Sequence, residues 1–185
     1  MCAVGGTCLK GPACTSPHGA PAEGKHWHIA PVEGNPLAVT LSLTGPADIL
    51  DPITGQFVPS PYAGRTFEAT ILVNDKFPFE FPVDIVWKLD AQGRSTLVHP
   101  LVSQGGAMCI LGFRNGWGPA SMLCADAGAG AEACLARKLW EALRQPAVDE
   151  APNAEVAGLL VGAQANFAEF CRRAKEAAAS LPAAH

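Results

Sequence analysis

Charge is what this sequence is short of: Asp, Glu, Lys and Arg make up 16% of its 185 residues, against about 25% in an average globular chain. Thirteen basic side chains face seventeen acidic ones, a net charge of −4. No basic field is therefore available to attract nucleic acid or an anionic lipid surface. No apolar run approaches the roughly 18 residues that span a bilayer, and Met1 to Cys14 lacks the charged-then-apolar order of a secretion signal. Neither a nucleic-acid nor a membrane partner is expected. Cys-x-x-Cys pairs are missing too, and the seven cysteines are an odd number. A disulfide framework is not indicated, and a reducing compartment, cytoplasmic or nuclear, is the expectation. What the chain does have is 49% hydrophobic residues, enough to exclude wholesale disorder and to build a core without covalent staples.

Residues 1–30 are rich in Gly, Pro, Ala, Cys and His and show no apolar period. They read as a disordered or loosely attached tail, with the core domain over residues 31–180. Within the tail, Cys2, Cys8, Cys14 and His18 partly fit the spacing of a small zinc finger. Scattered cysteines in a small-residue tail are the plainer reading, and no metal or cofactor is expected. Three stretches then alternate with period two: Leu37, Val39, Leu41 and Leu43; Phe67, Ala69, Ile71 and Val73; Val83, Ile85, Trp87 and Leu89. Each reads as a half-buried antiparallel strand. A fourth, short strand is expected near Ser95 to Val98, and Gly45 to Tyr62 reads as an irregular linker. Later the period changes. Leu135, Leu139, Trp140 and Leu143 define a helix that should stop before Pro146. Val156 to Ala174 repeats at three and four, one long helix or two with a bend at Gly158 or Gly162. Strands first and helices last give an α+β domain, a sheet with helices on one face.

Between strands and helices lies an aperiodic stretch from His99 to Ala133, long enough to be functional. It contains His99-Pro-Leu101, then Cys109, then Trp117-Gly-Pro-Ala120. Here the sequence resembles the ubiquitin-conjugating enzymes, in which His-Pro-Asn, the active cysteine and Trp-Ser-Pro-Ala follow at the same spacings, ten residues and then eight in this chain. Ser60-Pro-Tyr-Ala-Gly-Arg-Thr-Phe67, Phe77-Pro-Phe-Glu-Phe-Pro82, Gln145-Pro-Ala-Val-Asp-Glu150 and Glu155-Val-Ala also match family motifs in order, with Phe167 and Arg172 on the last helix. The resemblance implies a four-stranded antiparallel meander packed by helices. It implies that Cys109 accepts ubiquitin or a ubiquitin-like modifier as a thioester, from an activating enzyme. A thiolate suits this role, being a strong nucleophile and a good leaving group.

The resemblance further implies that Glu150, with Asp149 beside it, forms the acidic gate that orients an incoming amine; the alternative is an ordinary solvated loop acid. Phe79, Pro119 and Ala120 would meet a RING-type ligase, unless Phe79 is core and Pro119-Ala120 only shapes a turn. His99 and Trp117 are expected to be structural. Leu101 departs from the family, standing where an asparagine amide would support the loop or the oxyanion formed when lysine attacks; Ser103, Gln104 or Asn115 could substitute. No counterpart of the family's basic first helix is seen in residues 1–36, and two insertions, before Ser60 and between Ala120 and Leu135, read as surface loops. Three functions compete: a conjugating enzyme passing the modifier to a ligase cysteine or another acceptor more readily than to lysine; a non-catalytic adaptor for modifiers or ligases; and a zinc- or RNA-binding protein working through its tail.

Overall fold

The structure is a computed structural model, describing residues 26–77, 79–109, 113, 117, 135–148, 151–163 and 165–184. Its framework is a four-stranded antiparallel meander of β1 (Trp27–Val32), β2 (Asn35–Thr44), β5 (Thr66–Leu72) and β6 (Asp84–Trp87), in that spatial order. The strand pair β3 (Asp48–Asp51) and β4 (Gln56–Pro59) forms a separate hairpin between β2 and β5. Among the described residues three helices follow: α1 (Leu135–Arg144), α2 (Ala154–Leu160) and α3 (Phe167–Ala178).

The alternation seen in the sequence sets the register. Leu41 lies opposite Ala69, which lies opposite Trp87; Val39, Ile71 and Ile85 form the next row. These side chains share one face because successive residues point to opposite sides of a strand. Against that face pack Leu135, Leu139 and Leu143 of α1, Val156 and Leu160 of α2, and Phe170 and Ala174 of α3, all buried in one cluster. Trp140 anchors α1 to the sheet by donating its indole N–H to the Thr44 carbonyl at 3.0 Å, and His26 stacks on its ring at 4.8 Å.

Three expectations need correction. The fourth strand is β1, not Ser95–Val98. Ser95 turns its hydroxyl onto Leu97, accepting the Leu97 N–H at 3.2 Å and donating to the Leu97 carbonyl at 3.0 Å. That local capture takes the groups a ladder would need, and a single bridge from Leu89 to Ser95 remains. The folded unit also runs past 31–180 at both ends. Trp27 to Ala30 pair with Leu43 to Thr40, and after α3 the chain returns to Gly64–Thr66, with the Arg65 guanidinium donating to the Leu181 carbonyl at 2.8 Å. The tail up to residue 25 and the insertion after Ala120 lie outside the described residues. Third, the insertion before Ser60 is not a plain surface loop: β3–β4 buries Ile49 completely. Arg144 of α1 holds it through two bonds to Asp48, at 2.5 and 3.0 Å, while its guanidinium lies 4.4 Å from the centre of the Phe57 ring.

The last apolar repeat resolves into two helices. Asn153 and Asn166 cap them, each side-chain oxygen accepting a backbone N–H of the first turn. Gly162, at a φ of +95°, makes the bend between them. No helix among the described residues is long and apolar enough to cross a membrane.

Candidate functional site

Cys109 is set by the strand that precedes it. The Met108 N–H donates to the Ile85 carbonyl at 2.9 Å, and the Trp87 N–H to the Gly106 carbonyl at 2.8 Å, so Gly106–Met108 runs as a short extra rung beside β6, bridged from Val86 to Ala107. Gly106 is required there. It has a φ of +84°, and a Cβ on it would stand 2.5 Å from the Trp87 carbonyl oxygen. The Trp87 indole N–H points at the Met108 sulfur at 3.4 Å. Immediately after this rung comes Cys109, partly exposed and with a free thiol. Its N–H donates to the Leu101 carbonyl at 2.7 Å.

The His99–Val102 turn is therefore the other wall of the site. His99 is completely buried. Its Nδ1 accepts the Leu101 N–H at 3.1 Å, which leaves Nε2 protonated and 3.1 Å from the Ala142 carbonyl on α1. Burial pushes its pKa down to about 4, only partly opposed by the Ala142 carbonyl. A ring that stays neutral, with both nitrogens engaged inside the core, is a strut and not an acid–base group. Just upstream, the buried Tyr62 donates its hydroxyl to the Val98 carbonyl at 2.7 Å, and burial raises its pKa well above the ordinary value.

Leu101 is 8% exposed and belongs to the core. Its side chain supplies packing where an amide would supply a hydrogen bond. Of the substitutes considered, Ser103 engages through its backbone, its N–H donating to the Ala107 carbonyl at 2.9 Å; Gln104 is exposed; Asn115 lies outside the described residues. Among the described residues, an amide reaches the turn from Asn153, whose Nδ2 donates to the Val102 carbonyl at 3.1 Å. Sequence reasoning passed over it, although Asn153-Ala-Glu155 just before an apolar helical pattern is a helix-start signal.

Phe79 is 72% exposed at the tip of the β5–β6 connection, which removes the reading of it as core. Its neighbours Phe77 and Phe81 turn inward instead, with ring centres 6.1 and 4.9 Å from that of Trp117. Trp117 thereby joins the segment after Cys109 to the β5–β6 connection. Asp149, Glu150, Pro119 and Ala120 lie outside the described residues. A cleft of about 680 Å3 opens on another side of the turn between Asp90, Arg94, Gln104 and Arg173, and Cys109 does not line it. Its charges are already paired, Arg94 with Asp90 and Arg173 with Glu155.

No family model matches the chain, and no curated protein matches it in sequence. Solved structures do match. One is a protein of Plasmodium yoelii assigned as a ubiquitin conjugating enzyme, with a TM-score of 0.62 at 20% identity over 86% of this chain and 85% of that one. Another is the E2 domain of a Toxoplasma gondii ubiquitin conjugating enzyme, with a TM-score of 0.59 at 20% identity over 85% of this chain and 90% of that one. With its antiparallel meander, its helices on one face and its cysteine behind a buried His-Pro turn, this chain has the ubiquitin-conjugating-enzyme fold.

Proposed function

We propose that this protein is a ubiquitin-conjugating enzyme that carries ubiquitin or a ubiquitin-like modifier as a thioester on Cys109. The observation that supports it best is the placement of the thiol. Cys109 is partly exposed at the end of a rung held by β6 on one side and by the His99–Val102 turn on the other. In the loading step the Cys109 thiolate attacks the carbonyl carbon of the modifier's C-terminal glycine, and the thiolate of the activating enzyme leaves. In the discharge step an amine or a second thiol attacks the same carbon and Cys109 leaves. Phe79, with Pro119 and Ala120, would meet a RING-type ligase, and Glu150 with Asp149 would orient an attacking amine. The buried apolar side chain of Leu101 provides no oxyanion donor, so transfer to a ligase cysteine should outrun transfer to lysine.

The test is incubation with ATP, an activating enzyme and modifier, read on a non-reducing gel. A thiol-sensitive adduct should form, and Cys109→Ser should abolish it or leave a reductant-resistant ester. An adduct that survives Cys109→Ser in thiol-sensitive form would overturn the assignment. The buried Leu101 also favours a second reading, a non-catalytic adaptor with the same fold, which predicts no adduct at all from the parent chain.

A further inference from the structure

We infer that Asn153 is the positioning residue for Cys109: its amide ties the turn that holds the Cys109 backbone to the start of α2. Four bonds meet at this one residue, and three of them make the tie. Its Oδ1 accepts the Val156 N–H at 3.2 Å, capping α2. Its Nδ2 donates to the Val102 carbonyl at 3.1 Å, and its backbone N–H donates to the Pro100 carbonyl at 3.2 Å. Pro100 and Val102 flank Leu101, whose carbonyl receives the Cys109 N–H at 2.7 Å. The His99 ring fixes the turn through the Leu101 N–H, and Asn153 fixes it through the carbonyls on either side. Leu101 itself contributes no polar side-chain group to hold the turn.

The anchor is itself anchored. The carbonyl of Asn153 accepts the Ala157 N–H at 2.9 Å. Glu155, two residues on, pairs with Arg173 of α3, and Arg173 also bonds Glu169 at 2.8 Å. A displacement of the turn thus has to drag the first turn of α2 against α3. The side-chain amide divides its work cleanly, with the oxygen serving the helix and the nitrogen serving the turn. That division makes the two functions separable by substitution, because aspartate caps helices as well as asparagine does but has no N–H to give to Val102.

The inference rests on Cys109 as the thiol that carries the modifier, and its test is arranged so that each can fail alone. Native-state hydrogen exchange on the full chain reads the Cys109 and Val156 amides separately. Asn153→Asp should speed exchange at Cys109 by about three- to tenfold, the loss of one net hydrogen bond, while Val156 exchange stays near the parent's. Asn153→Ala should speed both amides. Where the parent forms an adduct, Asn153→Asp should slow its discharge onto free lysine by a similar factor and leave the extent of loading unchanged. Unaltered Cys109 exchange in Asn153→Asp, or Cys109 and Val156 rising together in it, would overturn the tether. A parent chain that never loads overturns the function instead, and the exchange rates still decide the tether.

Discussion

The β3–β4 hairpin and the His99–Cys109 segment both interrupt the plain meander, one before β5 and the other after β6, yet they are secured by different chemistry. The hairpin is fastened at its rim by a partly exposed guanidinium, that of Arg144, on Asp48 and Phe57, with one buried apolar peg, Ile49. The His99 segment is fastened mainly from inside: the buried Tyr62 bonds the Val98 carbonyl just before it, the buried His99 ring reaches the Ala142 carbonyl on α1, and the half-buried amide of Asn153 bonds the Val102 carbonyl. A rim ion pair competes with water and salt and is worth little net. A buried donor or acceptor left without its partner costs its full desolvation. The Arg144 clasp on the hairpin is therefore a contact that the fold can lose cheaply, whereas the segment before Cys109 is held by bonds whose loss the core feels.

The largest break in that contrast should come from His99→Ala. It removes a buried ring and leaves the Leu101 N–H and the Ala142 carbonyl without their partner, and about 3 kcal/mol of destabilisation by urea unfolding is expected. The pH dependence sharpens the point. Above pH 6.5, the ordinary value for histidine, His99 is neutral in both folded and unfolded chains, and its contribution is whole. As pH falls from 6.5 towards the folded value of about 4, the unfolded chain takes up a proton that the folded chain refuses. Stability should drop across that window by about 3 kcal/mol in all. His26, also lowered by burial, acts in the same direction. The His99→Ala chain should show a much flatter profile between pH 6.5 and 4.5. An equally steep one would mean that His99 is not the group responsible.

A smaller effect is expected on the hairpin side. Arg144→Ala should cost about 1 kcal/mol at low salt, and less at high salt as the pair with Asp48 is screened. Peptide cleavage within Ile53–Gln56 should become faster while the core amides of β5 and β6 keep their protection. If Arg144→Ala destabilised the chain as much as His99→Ala, the Arg144 clasp would have to be counted with the interior bonds and not with the rim.

How much of this could be read beforehand follows the same division. The strands β2, β5 and β6 announce themselves because much of one face of each is buried, so apolar residues recur at every second position. The helices were legible for the same reason at period 3.6. Strand β1 hides because it is an edge strand, only half-buried, with Pro31 and a register shift at its end, features that edge strands tolerate and that blur alternation. The hairpin strands are four residues each, too short for a period to show. At the site, the spacing of His99, Cys109 and Trp117 carried the resemblance. The role of Asn153 depends on a contact across some fifty positions of chain, which no local pattern encodes. Likewise Ser95–Val98 alternates like a strand, and only the hydroxyl of Ser95 diverts its backbone.

The smallest expected change in stability belongs to Phe79, and it separates surface from scaffold within a single loop. Phe77 and Phe81 face Trp117, whereas Phe79 stands out into solvent, its backbone N–H returning to the Lys76 carbonyl at 2.8 Å. Glu80 beside it pairs with Lys76 at 3.0 Å and accepts from Asn74 at 2.8 Å, so the loop keeps its shape without the Phe79 ring. Phe79→Ala should shift stability by less than about 0.5 kcal/mol. Phe81→Ala, by contrast, uncovers the Trp117 face and should cost about 2 kcal/mol. If Phe79 serves a docking surface, Phe79→Ala should leave loading and unassisted discharge unchanged while reducing discharge stimulated by a RING-type ligase, since aromatic anchors carry much of the energy of small interfaces. A fall in the thermal midpoint equal to that of Phe81→Ala would show instead that the ring packs in solution, and ligase-stimulated discharge that is indifferent to Phe79 would remove it from the interface.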